Sequence, residues 1–319
     1  MPAAAVSEPC QPLTVAGKPE SNTQVSNASF RLEPPIPVSG DVVLPRTRLH
    51  YVRAGSGPPL VIVPATVSRV EQWITLVQFM AQRYTTYFFE LPGHGKSSPY
   101  PQKFNSGLVP ATVAAFMESQ GYGEFSLMGF SFGGLLALRT VEALQERIRQ
   151  VILLSPCVSR QALKYSPYRQ WALRRLCSTL KTDPMQRSMY RILHYERIET
   201  PLATTLSKVF KINPAILLNK GSLKLPLSTL DVLAYTGCEI FTLDFDSPVK
   251  PFKPPCYFGM SIYDDLLDFD ITLANVRRHF DRLMVTHFTL PYHQPPKPPT
   301  FDWLVREFGH FLNILPEVV

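Results

Sequence analysis

Gly129-Phe130-Ser131-Phe132-Gly133, followed by Gly134 and the apolar run Leu135 to Leu138, sets one serine between glycines at a spacing that suits a nucleophile. Alone, the five-residue string also fits a glycine-flanked turn serine, so its surroundings decide. Glu124 to Met128 reads as a short apolar strand, and Gly133 to Gln145 carries Leu135, Leu138, Val141 and Leu144 at helical spacing. A strand that reverses into a helix within a few residues forces the serine between them into a strained backbone state, and only glycine leaves room for that turn. The backbone N–H of Phe132 and the N-terminus of the helix would then face any negative charge that develops beside the Ser131 hydroxyl.

A serine hydroxyl is a poor nucleophile at neutral pH, so it needs a base within hydrogen-bond reach and an acid that fixes the base's tautomer. His287 lies inside the run Met284 to Leu290, where a strand commits each side chain to one face of a sheet. His293, in Pro291-Tyr292-His293-Gln294, follows that run, and a loop histidine can reach a serine where a mid-strand one rarely does. His279 and His310 read as packing or surface residues. Asp264, Asp265 and Asp268, beyond the strand candidate Pro255 to Met260, are the acids at hand. Adjacent carboxylates cannot both point at one imidazole, so one of Asp264 and Asp265 is expected to be a solvated loop residue.

The chain has 319 residues, 45% of them apolar, enough to bury a large core in one domain or one domain with an insertion. Its apolar runs, such as Pro59 to Ala65 and Val151 to Leu154, are too short to cross a bilayer. Met1 to Val15 has no Lys or Arg ahead of an apolar stretch, so no targeting signal is visible and cytoplasm is the expected compartment. Five cysteines, at 10, 157, 177, 238 and 256, are scattered and show no CxxC spacing, which predicts free thiols and no metal site. Net charge is +7, and Ser159 to Pro255 holds 15 Lys and Arg against 7 Asp and Glu. Such an excess suits anionic substrates or an acidic partner surface, as well as plain solvated helix faces. No basic run is interleaved with aromatics as nucleic-acid modules require, so nucleic acid is not an expected partner.

The elements that must position these groups follow from the pattern. Residues 1–27 are rich in Pro, Ser, Ala, Gln and Thr without a hydrophobic period and read as a disordered tail. Asp41 to Leu44, Arg48 to Arg53, Leu60 to Val63, Thr85 to Phe89 and Gln150 to Ser155 read as strands, with a helix over Val70 to Tyr84. Strands alternating with helices of this length imply a mostly parallel sheet with helices on both faces and active groups at the strands' carboxyl ends. Arg160 to Asp246 breaks the alternation into short helices punctuated by Pro184, Pro201, Pro214 and Pro226. Arg282 to Leu290 is the last strand, and Phe301, Leu304, Phe308, Phe311 and Leu312 share one face of the last helix.

The stretch Leu91-Pro92-Gly93-His94-Gly95-Lys96-Ser97-Ser98 after a strand, about forty residues before the Gly-Phe-Ser-Phe-Gly string, resembles the α/β-hydrolase fold superfamily, in its serine branch with a helical cap. The resemblance spans roughly Thr47 to Leu315. It implies a core in two parts, 28–158 and 253–319, with a cap inserted over 159–252. Tyr165, Tyr168, Trp171, Leu173, Met189, Tyr190, Ile192, Leu193, Phe210 and Ile212 are candidates to line the cap, fewer than half of them expected to face a ligand. It also implies the chain order Ser131, Asp264, His293 for nucleophile, acid and base. Asp264 is favoured because it lies three residues after Ser261, the small residue ending its strand. The second oxyanion donor falls on Thr66 beside Phe132, although Pro64-Ala65 here replaces the His-Gly pair many relatives carry. Glu90 replaces the usual aspartate and is expected to anchor the turn, and His94 lies on the wrong side of the serine in family order. An elbow serine argues against the aspartate-dependent dehalogenase and epoxide hydrolase branches. The implied activity is cleavage of a carboxylic ester or thioester through an acyl-enzyme, without metal or organic cofactor, on a small acyl substrate. Transfer to an acceptor such as coenzyme A, and a non-catalytic binding protein, are the alternatives.

Overall fold

The strand that runs into Ser131 lies near the centre of an eight-stranded sheet in the computed structural model, which describes residues 33–66, 69–195, 201, 204–205, 208, 224–243, 245 and 250–316. The tail expected over 1–27, together with Phe210, Ile212 and Cys10, lies outside the described residues. The strands are β1 (Val38–Leu44), β2 (Thr47–Ala54), β3 (Pro59–Val63), β4 (Thr85–Phe89), β5 (Phe125–Phe130), β6 (Ile148–Leu154), β7 (Cys256–Ser261) and β8 (Leu283–Phe288). They stand in the order β1-β2-β4-β3-β5-β6-β7-β8. β2 pairs antiparallel with β1 and with β4, and every other pairing is parallel.

Burial explains the composition of these strands. β4 is Thr-Thr-Tyr-Phe-Phe, buried along its whole length, as an interior strand covered on both faces requires. β1, at the sheet's edge, alternates instead, and its Val43 is 81% exposed. Side chains of β3 alternate between two cores: Val61 and Val63 join a cluster with Phe116 of α2 (Val109–Ser119) and Leu135 of α3 (Phe132–Leu144). On the opposite face Trp73 of α1 (Val70–Met80) stacks on Phe88, with ring centroids 5.2 Å apart. α1 also packs against the last helix, Phe301–Ile314.

Between β6 and β7 the chain leaves the sheet through α4 (Pro167–Leu180), α5 (Asp183–Leu193) and α6 (Leu227–Thr242). Leu173 and Cys177 of α4 are buried where it packs on α6. α6 is tied to the strand ends: Thr229 Oγ1 donates to the Gly93 carbonyl at 2.6 Å, and Ser106 Oγ donates to Glu239 at 2.7 Å. α7 (Phe269–Arg277) follows β7, its N-cap Asp268 accepting from the Ile271 N–H at 3.0 Å. The last helix, α8 (Phe301–Ile314), is capped by Thr300, which accepts from the Trp303 N–H. No helix among the described residues is long and apolar enough to cross a membrane.

Candidate active site

Ser131 sits one residue beyond β5, at the N-cap of α3, with φ 54° and ψ −124°. A positive φ is costly for a residue with a side chain, and the surrounding structure must hold it there. Three backbone bonds do so: Ser131 N–H donates to the Leu154 carbonyl, and the Ser131 carbonyl accepts from Gly134 N–H and Cys157 N–H. The glycines have a steric cause. A Cβ on Gly129 would lie 2.4 Å from the Gly133 carbonyl oxygen, and one on Gly133 would lie 2.6 Å from that of Val63. The close approach at Gly133 brings the start of α3 against the loop that leaves β3.

The His293 imidazole bridges the other two groups singled out from the sequence. Its Nε2 is 2.8 Å from Ser131 Oγ and its Nδ1 is 2.8 Å from Asp264 Oδ2. Asp264 is fully buried; burial raises its pKa, but the His293 hydrogen bond and charge and the amides of Leu267 and Leu266 outweigh this and hold it below the ordinary value of 3.8. It is therefore ionised at neutral pH and accepts only. It follows that Nδ1 carries the imidazole proton and that Nε2 is the lone pair offered to the serine O–H. Asp264 Oδ1 is occupied by the N–H groups of Leu266 and Leu267 at 2.9 and 2.8 Å. Phe130 stacks on the imidazole at 5.2 Å between centroids.

Several supporting contacts had no local signature in the sequence. Asp265, adjacent to Asp264, is not merely solvated: its Oδ1 accepts from the His293 backbone N–H at 2.7 Å and so fixes the loop that carries the imidazole. Ser261 Oγ donates to the Phe288 carbonyl at 3.3 Å, joining the ends of β7 and β8. Lys164 Nζ, a hundred residues away in sequence, donates to the Asp264 carbonyl at 2.7 Å. Cys157 lies buried beside Asp264, and burial with that neighbouring charge pushes its thiol up to about 12, which leaves it protonated and unreactive.

The other histidines lie elsewhere. His287 points outward from β8, His310 is exposed on α8 beside Phe288, and His279 is buried between Phe245 and Phe252.

Thr66 occupies the loop between β3 and α1, half-buried, and Phe132 is fully buried as the first residue of α3. Pro64, which has no N–H, precedes them, so Ala65 and Thr66 hold the first amides of the loop. Glu90 links this loop to the turn after β4. Its Oε1 accepts from the N–H of Val70, the first residue of α1, at 3.1 Å, and its Oε2 accepts from Lys96 N–H at 2.6 Å.

His94, in the same turn, is buried, and its pKa falls from 6.5 to about 4. Burial is the main cause; the Thr66 backbone opposes it without a well-formed hydrogen bond, and the Arg69 cation adds to it. Between those two values the unfolded chain binds a proton that the folded one refuses, so stability is full above about 6.5 and declines as pH falls towards about 4. The loss is expected to be on the order of 3 kcal/mol, and His94→Gln should remove most of it, read as urea midpoints at neutral and mildly acidic pH.

Comparison with known proteins gives a consistent family. The family model described as alpha/beta hydrolase fold matches residues 58–208. The chain is 28% identical over 122 residues to N-formylmaleamate deformylase of Pseudomonas putida, covering 38% of this chain and 46% of that protein. It is 23% identical over 273 residues to the pimeloyl-[acyl-carrier protein] methyl ester esterase of Aliivibrio fischeri, covering 84% and 98%. Across the first curated relatives the match spans between 29% and 46% of their length. Among solved structures, an alpha/beta fold family hydrolase from Bacillus anthracis superposes with a TM-score of 0.60 at 18% identity, over 87% of this chain and 98% of that one.

Proposed function

Because the chain belongs to the α/β-hydrolase fold superfamily, we propose that it is a serine hydrolase that cleaves a carboxylic ester or thioester of a small acyl substrate through an acyl-enzyme. The observation that carries this reading is the unbroken relay from Ser131 Oγ through the His293 imidazole to Asp264, two contacts of 2.8 Å each.

Ser131 Oγ attacks the carbonyl carbon as its proton passes to His293 Nε2. Asp264 stabilises the imidazolium that forms. The oxygen of the tetrahedral intermediate turns negative and is met by the amides of Phe132 and Thr66, at the N-terminus of α3 and in the adjoining loop. Collapse expels the alcohol or thiol, which takes the proton from Nε2. Water, deprotonated by the same nitrogen, then attacks the acyl-enzyme and releases the acid and Ser131. The chain divides in this reading into core segments 28–158 and 253–319 and a cap over 159–252 that covers the serine. The names of the relatives support it, since an ester and an N-formyl group are both cleaved at a carbonyl.

A panel of p-nitrophenyl esters and acyl thioesters of graded length tests the reading. Free acid released without any added acceptor supports it. Release that requires coenzyme A or an alcohol acceptor replaces hydrolysis by acyl transfer, and a folded protein that turns over no member of the panel overturns the catalytic reading.

A further inference from the structure

Two of the aromatics named as candidates to line the cap lie exposed on the surface of α4. Tyr168 is 76% exposed and Trp171 is 55% exposed, while Leu173, on the opposite side of α4, is 5% exposed where it packs on α6. Residues 168, 171 and 175 fall on one stripe of a 3.6-residue helix, so the outer stripe reads Tyr168, Trp171, Arg175. The rings of Tyr168 and Trp171 stack at 5.9 Å, and the Arg175 guanidinium lies 5.8 Å from the centre of the indole ring. Arg174 is exposed beside them, and α5, packed against α4, adds exposed Arg187 and Arg191.

Charge is concentrated in the same place. Residues 164–195 hold seven Lys and Arg against one Asp. Outside Ser159 to Pro255 the chain has 17 Lys and Arg against 18 Asp and Glu, so the positive balance of the whole protein resides in the segment between β6 and β7. Exposed aromatic surface costs free energy in water, and a cation held over an indole keeps its charge at the height of the ring.

We infer that the outer face of α4 and α5 docks on an anionic phospholipid surface. Tyr and Trp combine an apolar body with a polar tip and settle at the level of lipid headgroups. Arginines at the same height pair with lipid phosphates, and their stems cover apolar surface. An acidic protein would satisfy the charge alone; two stacked, outward-facing aromatics among the arginines match the layered chemistry of a headgroup region. This inference does not depend on the hydrolase reading.

The test is co-sedimentation of the full chain with vesicles of phosphatidylcholine alone and of phosphatidylcholine mixed with phosphatidylglycerol. Retention by the mixed vesicles, weakened by salt and absent with the neutral ones, is expected. Partitioning should fall about fivefold for each arginine removed in Arg174→Gln and Arg175→Gln. Trp171→Ala should also weaken it, and the indole emission of the native chain should shift to the blue on mixing. Turnover of a soluble ester should be the same in all these variants, which separates loss of docking from loss of the catalytic site. No retention by mixed vesicles, equal retention by both kinds, or retention unchanged in the arginine variants overturns the proposal, and no retention together with binding to an acidic protein replaces the lipid surface by a protein one.

Discussion

Ser131→Ala is expected to lower kcat on any accepted ester by about 10⁴- to 10⁶-fold while leaving the fold intact. The hydroxyl is the only atom lost, and the backbone bonds that hold position 131 at positive φ come from the Leu154 carbonyl and the amides of Gly134 and Cys157, none of which needs the side chain. Alanine meets the same backbone strain as serine, so the denaturation midpoint should scarcely move. Residual activity above the uncatalysed rate would come from the amides of Phe132 and Thr66 acting on bound substrate with water as nucleophile. Steady-state kinetics beside a urea titration checks both halves of the expectation. A drop in activity with an equal collapse of stability would remove the chemical role assigned to the hydroxyl.

Asp264→Asn carries the second large effect, about 10⁴-fold in kcat, and its cause differs. The native carboxylate takes two backbone N–H groups on Oδ1 and the imidazole on Oδ2. An asparagine has one accepting oxygen. Held by the amides of Leu266 and Leu267, that oxygen turns the NH₂ towards His293 Nδ1, which must then accept. The proton moves to Nε2, and the imidazole can no longer take one from Ser131. The substitution also removes the group whose folded pKa lies below its ordinary value. Such a group contributes stability that is present above the ordinary carboxylate range and lost as pH falls through the lowered pKa, so the native chain should lose more stability on acidification than the variant. Asp265→Asn is the contrast: it keeps an oxygen for the His293 N–H and should remain near native activity, whereas Asp265→Ala frees the loop and should cost about 10- to 100-fold through misplacement of the imidazole. Equal losses in Asp264→Asn and Asp265→Asn would contradict the roles given to the two carboxylates.

Local pattern carried much of the fold. β4 ends where its Thr-Thr-Tyr-Phe-Phe run ends, and α3 begins within one residue of its expected start, because the glycines around Ser131 leave no other place for the turn. The expected helix over Val70 to Tyr84 stops at Met80, where Ala81 begins a turn into β4, a boundary that periodicity does not encode. α2 and α7 had no assignment from the pattern. α2 opens with Pro110 in its first turn, but its buried face of Val109, Val113, Phe116 and Met117 is spaced i, i+4, i+7 and i+8, so the pattern does encode this helix.

For the candidate site, a serine between glycines and a histidine after the last strand are local features, the order Ser131, Asp264, His293 came from the family resemblance, and the structure brings the three side chains together. The Asp265 to His293 and Lys164 to Asp264 contacts join positions 28 and 100 residues apart, which no window along the chain can relate. The side on which Tyr168 and Trp171 lie was likewise unreadable: spacing groups residues on a stripe, but the packing of Leu173 and Cys177 on α6 decides which stripe is inside.

The central claim is that Ser131 is a nucleophile activated by His293. Incubation with a fluorophosphonate followed by peptide mass analysis tests it most directly. The account predicts one adduct per chain, on the peptide bearing Ser131, absent in Ser131→Ala and strongly slowed in His293→Ala. A folded chain that takes no label, or that takes it on another residue, would contradict it.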